Sequence, residues 1–170
     1  MEGYFKPPSE YRFVDYTLCM IFVNIKLDLT YKARLCCDGS RVDPRGLSAR
    51  NTVVKGVPFR FLYLIADSQD LQVLCGDIGN TFVQANTKEN IYTCCGSELN
   101  IAVIVRDVYG LATSAERFRT MLAIFVRTLG FKTTCFDRDV WMRMQDDESS
   151  YNYISTHIDD FKCVAKYPSM

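Results

Sequence analysis

The 170-residue chain is 48% hydrophobic and 24% charged, with 20 basic and 20 acidic residues and a formal net charge of zero. That composition is globular rather than disordered and fits one domain, 1–170, with a real core. Zero net charge argues against a strongly basic nucleic-acid binder, although a local groove can be basic within a neutral sum.

The eight cysteines include two adjacent pairs, Cys36-Cys37 and Cys94-Cys95, and no C-x-x-C spacing. With a single histidine, a Cys/His zinc site has no support. No charged, apolar and small-residue succession marks a secretory signal. The longest apolar run, 18–25, is too short to span a bilayer. A reducing intracellular compartment with the cysteines as small buried hydrophobes is the expectation, and no membrane partner.

Residues 1–17 have Pro7-Pro8 and no clear period, so they read as a loop or partial element. Residues 18–27 (LCMIFVNIKL) are β-branched and aromatic, which predicts a strand. A bend at Asp28-Leu29-Thr30 leads into 31–37 (YKARLCC), where Lys32 and Arg34 alternate with Ala33 and Leu35. The pair predicts a hairpin with two cations on one face. Residues 38–55 are polar, with Gly39, Pro44 and Gly46, and read as a loop. Pro58 suits the first turn of a helix to about Ser68. Leu62, Ile65 and Ala66 would form its buried side. Phe59, Phe61 and Tyr63 make it apolar nearly all round, which predicts burial between layers.

Residues 71–78 (LQVLCGDI) predict a strand ending in Gly76-Asp77, and 80–85 a helical turn. Strands follow at 91–95 and 101–105. In 113–129, Thr113 and Glu116 match a capping box. Phe118, Met121, Leu122, Phe125 and Leu129 recur at helical spacing, and Gly130 suits the residue after the helix. A strand at 140–144, a polar turn at 145–150 and a hairpin over 151–164 complete the order, with Asp159-Asp160 at the hairpin turn and a tail after about Ala165. This mixture predicts an α+β domain, helices packed on one face of a mostly antiparallel sheet.

Two adjacent aspartates at a turn repel each other, a cost offset by solvent, a cation or a proton. Alone they are compatible with a solvated turn. Asp77, at another strand end, changes that. Three carboxylates on adjacent strand ends would hold two divalent cations roughly 3.5–4 Å apart, the arrangement of polymerases and nucleases. Mg²⁺ suits oxygen ligands and substrate phosphates. Lys32 and Arg34 are candidates for a triphosphate, or equally a solvated strand face.

Ordered blocks across 22–164 resemble the reverse transcriptase domain of copia-type retrotransposon polyproteins. Lys32-Ala33-Arg34-Leu35 with Asp38-Gly39 and Asp43-Pro44 is similar to the family's fingers segment. Residues 74–82 (LCGDIGNTF) resemble the block with the first catalytic aspartate, and 88–93 (KENIYT) the segment after it. Ile104-Val105-Arg106 with Val108-Tyr109-Gly110-Leu111 resembles IVRALYGL. Leu129-Gly130-Phe131 and 137–143 (DRDVWMR) resemble MGF and DPDVWMR. His157-Ile158-Asp159-Asp160 stands where the family has Tyr-Val-Asp-Asp.

The resemblance implies reverse-transcriptase-type fingers and palm, and RNA-directed DNA synthesis on an RNA or DNA template with a primer. It implies Asp77, Asp159 and Asp160 as catalytic metal ligands for two Mg²⁺ (or Mn²⁺) ions, with the Ile78 carbonyl also offered to a metal. Lys32 and Arg34 would contact the dNTP. Phe82 would be the steric gate against a ribose 2′-hydroxyl; without the family it reads as a core aromatic. Tyr109 and Gly110 would lie near the nascent base pair, where glycine permits close backbone approach. The remainder of a Pol polyprotein (thumb, ribonuclease H) is the expected partner, because no thumb, ribonuclease H or integrase segment follows within the 170 residues. A cytoplasmic particle or the nucleus would be the location.

The sequence departs from the family pattern at several places. His157, expected near the primer end, replaces Tyr. Ala112 replaces Lys. Ala115-Glu116, Phe161-Lys162 and 56–61 (GVPFRF) also differ. These departures keep open a catalytically inactive, decayed remnant with at most weak nucleic-acid binding. An unrelated α+β interaction module with solvated turn aspartates is the reading from another class.

Overall fold

Runs of β-branched and aromatic residues make strands the main element of this chain, and two longer 3.6-period stretches make its helices. The computed structural model describes residues 15–42, 54–95, 100–146 and 149–168. Residues 1–14 of the expected loop or partial element at 1–17, and 43–53 of the expected loop at 38–55, including Asp43-Pro44, lie outside these residues. The architecture is mixed α+β, with mostly antiparallel sheets and, among the described residues, two α-helices. None of these helices is long and apolar enough to cross a membrane. The chain divides into two compact units, Met1–Ala49 with Phe82–Phe118, and Arg50–Thr81 with Arg119–Met170.

In the first unit, strands β2 (Cys19–Ile25) and β3 (Tyr31–Cys37) form the expected antiparallel ribbon, in register from Cys19↔Cys37 to Ile25↔Tyr31. At the bend, the Asp28 carboxylate accepts bonds from the Thr30 amide and hydroxyl, and Leu29 takes a left-handed φ of 64°. The Thr30 hydroxyl and amide hold the Asp28 carboxyl below its ordinary value. Strands β1 (Asp15–Tyr16), β5 (Asn86–Cys95) and β6 (Asn100–Arg106) form a second sheet in the order β1-β5-β6, with β1 parallel to β5. β5 begins five residues earlier than the sequence predicts, and its register against β6 shifts between Asn86 and Ile91. The core joins Cys37, Ile91, Ile104, Val108 and Leu111. Most of the ribbon lies outside that core: Ile21, Phe22, Val23 and Ile25 are all half or more exposed.

In the second unit, β4 (Gln72–Asp77), β7 (Lys132–Thr133), β8 (Val140–Met144), β9 (Tyr151–His157) and β10 (Asp160–Ala165) form one antiparallel sheet in the order β4-β10-β9-β8-β7. Helix α1 (Gly56–Ser68) covers the face presenting Val140, Tyr153 and Val164, through Phe59, Leu62 and Ala66. Helix α2 (Ser114–Thr128), whose residues from Arg119 onward belong to this unit, packs Leu122, Ala123 and Val126 on Trp141 and Ile154. Val140 and Trp141 are neighbours in a strand and so point to opposite faces. The helices therefore cover opposite faces of the sheet, not one face as expected. Period-2 alternation with both parities apolar, as in β8, is the signature of a strand buried on both sides.

Two further expectations change. α1 is not buried between layers: Leu62 and Ala66 are buried, while Val57, Phe61, Tyr63 and Leu64 are exposed. The buried line of α2 runs through Phe118, Ala123 and Val126, leaving Ile124, Phe125 and Leu129 exposed, so it is rotated from the expected Phe118–Leu129 stripe. Among the described cysteines only Cys37 is buried, and Cys75 and Cys135 are exposed.

Candidate metal centre

The centre forms where β4 ends beside the β9–β10 hairpin. Asp77 is the last residue of β4 and pairs directly with Asp160, the first residue of β10. Asp160 also pairs with His157, so the hairpin turn is Ile158-Asp159 rather than Asp159-Asp160. The Ile78 amide donates to the Asp159 carbonyl at 2.7 Å, which ties the turn to the end of β4. One carboxylate oxygen from each of Asp77, Asp159 and Asp160 can be chosen so that all three lie within 4.8 Å of one another. Asp77 and Asp160 are exposed and Asp159 is half-buried.

Ile158 holds the turn at φ 57°. Tight hairpins need a positive φ at a central residue and normally use Gly, Asn or Asp there. A β-branched residue in that region costs on the order of 1–3 kcal/mol and persists only where its surroundings over-determine it. Here those surroundings include the two flanking strand ladders and the Ile78–Asp159 bond.

Two residues that the sequence reading did not assign support the centre. Gly76 faces Phe161 across the β4–β10 ladder, and a Cβ on Gly76 would meet the Phe161 ring at 2.5 Å. The ring thus lies over the glycine backbone one residue from both Asp77 and Asp160. Thr81 is buried, and its hydroxyl donates to the Ile78 carbonyl at 2.6 Å. That bond occupies one lone pair of the carbonyl expected to face a metal and leaves the other. Asn80, beside it, accepts φ 53°, a region asparagine tolerates. The Gly76–Phe161 pairing could be inferred from aligning β4 on β10; nothing in the local sequence marks Thr81.

Among the described residues, no Lys or Arg forms an ion pair with any of the three aspartates. Lys162, the cation nearest in sequence, is directed elsewhere. Its amine lies 3.6 Å from the Phe59 ring centroid and 4.7 Å from that of Tyr63, and it donates to the Tyr63 hydroxyl. Phe59 and Tyr63 are one helical turn apart on α1 and meet edge to face. The lysine stem thus fills a place where an apolar side chain would pack, with the charge held on aromatic faces. A cleft of about 490 Å³ adjoins the centre, lined by Asp160, His157, Lys162, Phe161, Phe59 and Gly76 among others. His157 is exposed beside it.

The residues expected to meet nucleotide lie in the first unit. Phe82 packs edge to face on Tyr109 at 4.8 Å, and the Arg34 guanidinium stands 6.0 Å from the centroid of the same Tyr109 ring. Lys32 is exposed two residues from Arg34 on β3. Gly110 has a structural reason to be glycine: φ is +92°, and a Cβ there would stand 2.0 Å from the Cys37 carbonyl oxygen. Its close approach is to the backbone of β3, where Cys37 also donates to the Tyr109 carbonyl.

The donor set fits a hard divalent cation. All three ligands are carboxylates, no Lys or Arg among the described residues is ion-paired with them, and each can supply an oxygen within a few ångströms of the others. Comparison with protein-family models, curated proteins and solved structures found no significant match to the chain.

Proposed function

We propose that this chain is the fingers-and-palm part of a reverse transcriptase, an RNA-directed DNA polymerase of the copia-type retrotransposon kind. The observation that carries the reading is the convergence of Asp77, Asp159 and Asp160 within 4.8 Å at adjacent strand ends. It is supported by the order of sequence blocks on which the resemblance rests.

In this reading the three aspartates bind two Mg²⁺ or Mn²⁺ ions through their carboxylate oxygens, with the free lone pair of the Ile78 carbonyl as a further donor. The bound ions would supply charge neutralisation for attack of a primer 3′-hydroxyl on a dNTP and for departure of pyrophosphate. The protein's own work is positional. The Asp77–Asp160 pairing and the Ile78–Asp159 bond fix the carboxylates before any substrate arrives, which removes reorganisation from the reaction. Tyr109 holds the Phe82 ring by an edge-to-face contact, so a gate residue at Phe82 would be rigid enough to discriminate a 2′-hydroxyl. Lys32 and Arg34 are the proposed contacts to the triphosphate, and His157 is the proposed neighbour of the primer end.

The test is Mn²⁺ binding by calorimetry together with primer extension, wild type against Asp159→Asn, with a thumb domain fused to the chain for the extension assay. The expected outcome is wild-type Mn²⁺ binding and extension, with affinity down at least about tenfold and extension lost in Asp159→Asn. Mn²⁺ binding that ignores Asp159 would sink the metal-centre reading. Asp159-dependent binding with no extension would leave the decayed, inactive form of the same domain.

A further inference from the structure

The β2–β3 ribbon places Cys19 directly opposite Cys37, at the end away from its turn. Directly opposed residues of an antiparallel pair have Cα atoms about 4.5–5.5 Å apart. That lies inside the roughly 4.4–6.8 Å a disulfide spans. The two thiols are free, and their sulfurs are 2.6 Å apart. Closing to a bond of ~2.0 Å needs roughly half an ångström of movement. Cys36 is adjacent in sequence but pairs with Met20, and alternation turns it to the other side of the ribbon.

We propose that Cys19 and Cys37 form a redox modification site, closed reversibly by a small-molecule disulfide of the oxidised glutathione type. The thiolate of Cys19, the less buried of the two residues, attacks oxidised glutathione. A Cys19–glutathione mixed disulfide forms and one glutathione thiolate leaves. Cys37 then attacks the Cys19 sulfur, and its proton passes to the second departing glutathione. Two protein thiols lose two electrons and two protons, and one glutathione disulfide becomes two thiols. Burial, then the contact with Cys19, pushes the Cys37 thiol up, which slows its own attack in the second step. The closed bond would fasten both strands at the point where the Cys37 amide holds the Tyr109 carbonyl. The oxidation state would thereby set how firmly the strand bearing Lys32 and Arg34 is anchored within its unit.

The experiment equilibrates the full chain in glutathione buffers of graded thiol-to-disulfide ratio, traps free thiols by alkylation and maps peptides by mass spectrometry. The expected result is a Cys19–Cys37 linked peptide, two hydrogens lighter, whose yield follows the ratio and reverses with dithiothreitol. Exposed Cys75 and Cys135 would carry glutathione at most. Cys36→Ser should retain the link, and Cys37→Ser should stop at a glutathione adduct on Cys19. Recovery of both Cys19 and Cys37 as alkylated thiols at the most oxidising ratio would overturn the proposal. So would linkage of Cys19 to any other cysteine.

Discussion

Asp77 and Asp160 face each other across a ladder, with no Lys or Arg among the described residues ion-paired to either, and like charges so placed are destabilising. Asp160→Asn should raise the stability of the metal-free protein by roughly 0.2–0.5 kcal/mol, modest because both groups are exposed. Saturating Mg²⁺ should reverse that order, since a cation that binds only the native wild type stabilises it by mass action. Urea midpoints in a chelator and in Mg²⁺ measure both; equal midpoints in both conditions would remove the charge-repulsion account. The three aspartates were legible in the sequence only together, through the third carboxylate and the ordered segments between them, since Asp by itself is an ordinary turn residue. Their register was not. The turn sits one residue earlier than expected, because Ile158 adopts a backbone region that β-branched residues avoid. Lys162 was legible as a departure from an apolar pattern, but its aromatic partners came from α1, a hundred residues away in the chain.

At the scale of elements, β4 and β10 are joined by a glycine and the ring that covers it. Gly76→Ala should cost about 1–2 kcal/mol, the overpacking penalty less the usual gain of alanine over glycine in a strand. Adding Phe161→Leu should recover part of that loss, and a double-mutant cycle on urea midpoints reads the coupling. Additive costs would mean the ring is not the obstacle. In the first unit, β6 leads into Asp107, which is fully buried and accepts from the Arg117 guanidinium at 2.6 Å. Burial pushes this carboxyl up to about 7, against the contact with the Ser114 side chain, which favours the anion. The folded value thus exceeds the unfolded one of about 4. Native protein holds the proton between those values, so this group's contribution is full below about pH 4, falls as pH rises, and is gone above about 7. Urea unfolding followed by circular dichroism across that range should show this slope in wild type and lose it in Asp107→Asn. Strand positions were largely readable because their runs are short and β-branched. The helix faces were not. Alternation shows that β8 is buried on both sides, but not which helix takes which side, and the apolar excess of α1 and α2 hides the line that contacts the sheet.

The molecule as a whole is mostly antiparallel, with an apolar core in the first unit and one on each face of the sheet in the second. Composition pointed to a globular chain, while the division into two discontinuous units depends on contacts that no local period records. Zero net charge proved compatible with a concentrated acidic centre, because a neutral sum does not require local pairing: Lys162, the cation nearest in sequence, is turned onto the α1 aromatics. Trp141 is the only tryptophan in the sequence and is buried under α2 in the second unit, with the Arg127 guanidinium 5.4 Å from its ring. Its indole N–H has no hydrogen-bond partner among the described residues. The protein therefore carries one optical reporter, set in an apolar site and confined to the unit that holds the aspartates. Tryptophan emission should be blue-shifted in the native state and should follow the opening of that unit alone. If a far-ultraviolet signal changes at lower urea than the tryptophan signal, the first unit has opened while the carboxylate centre still stands.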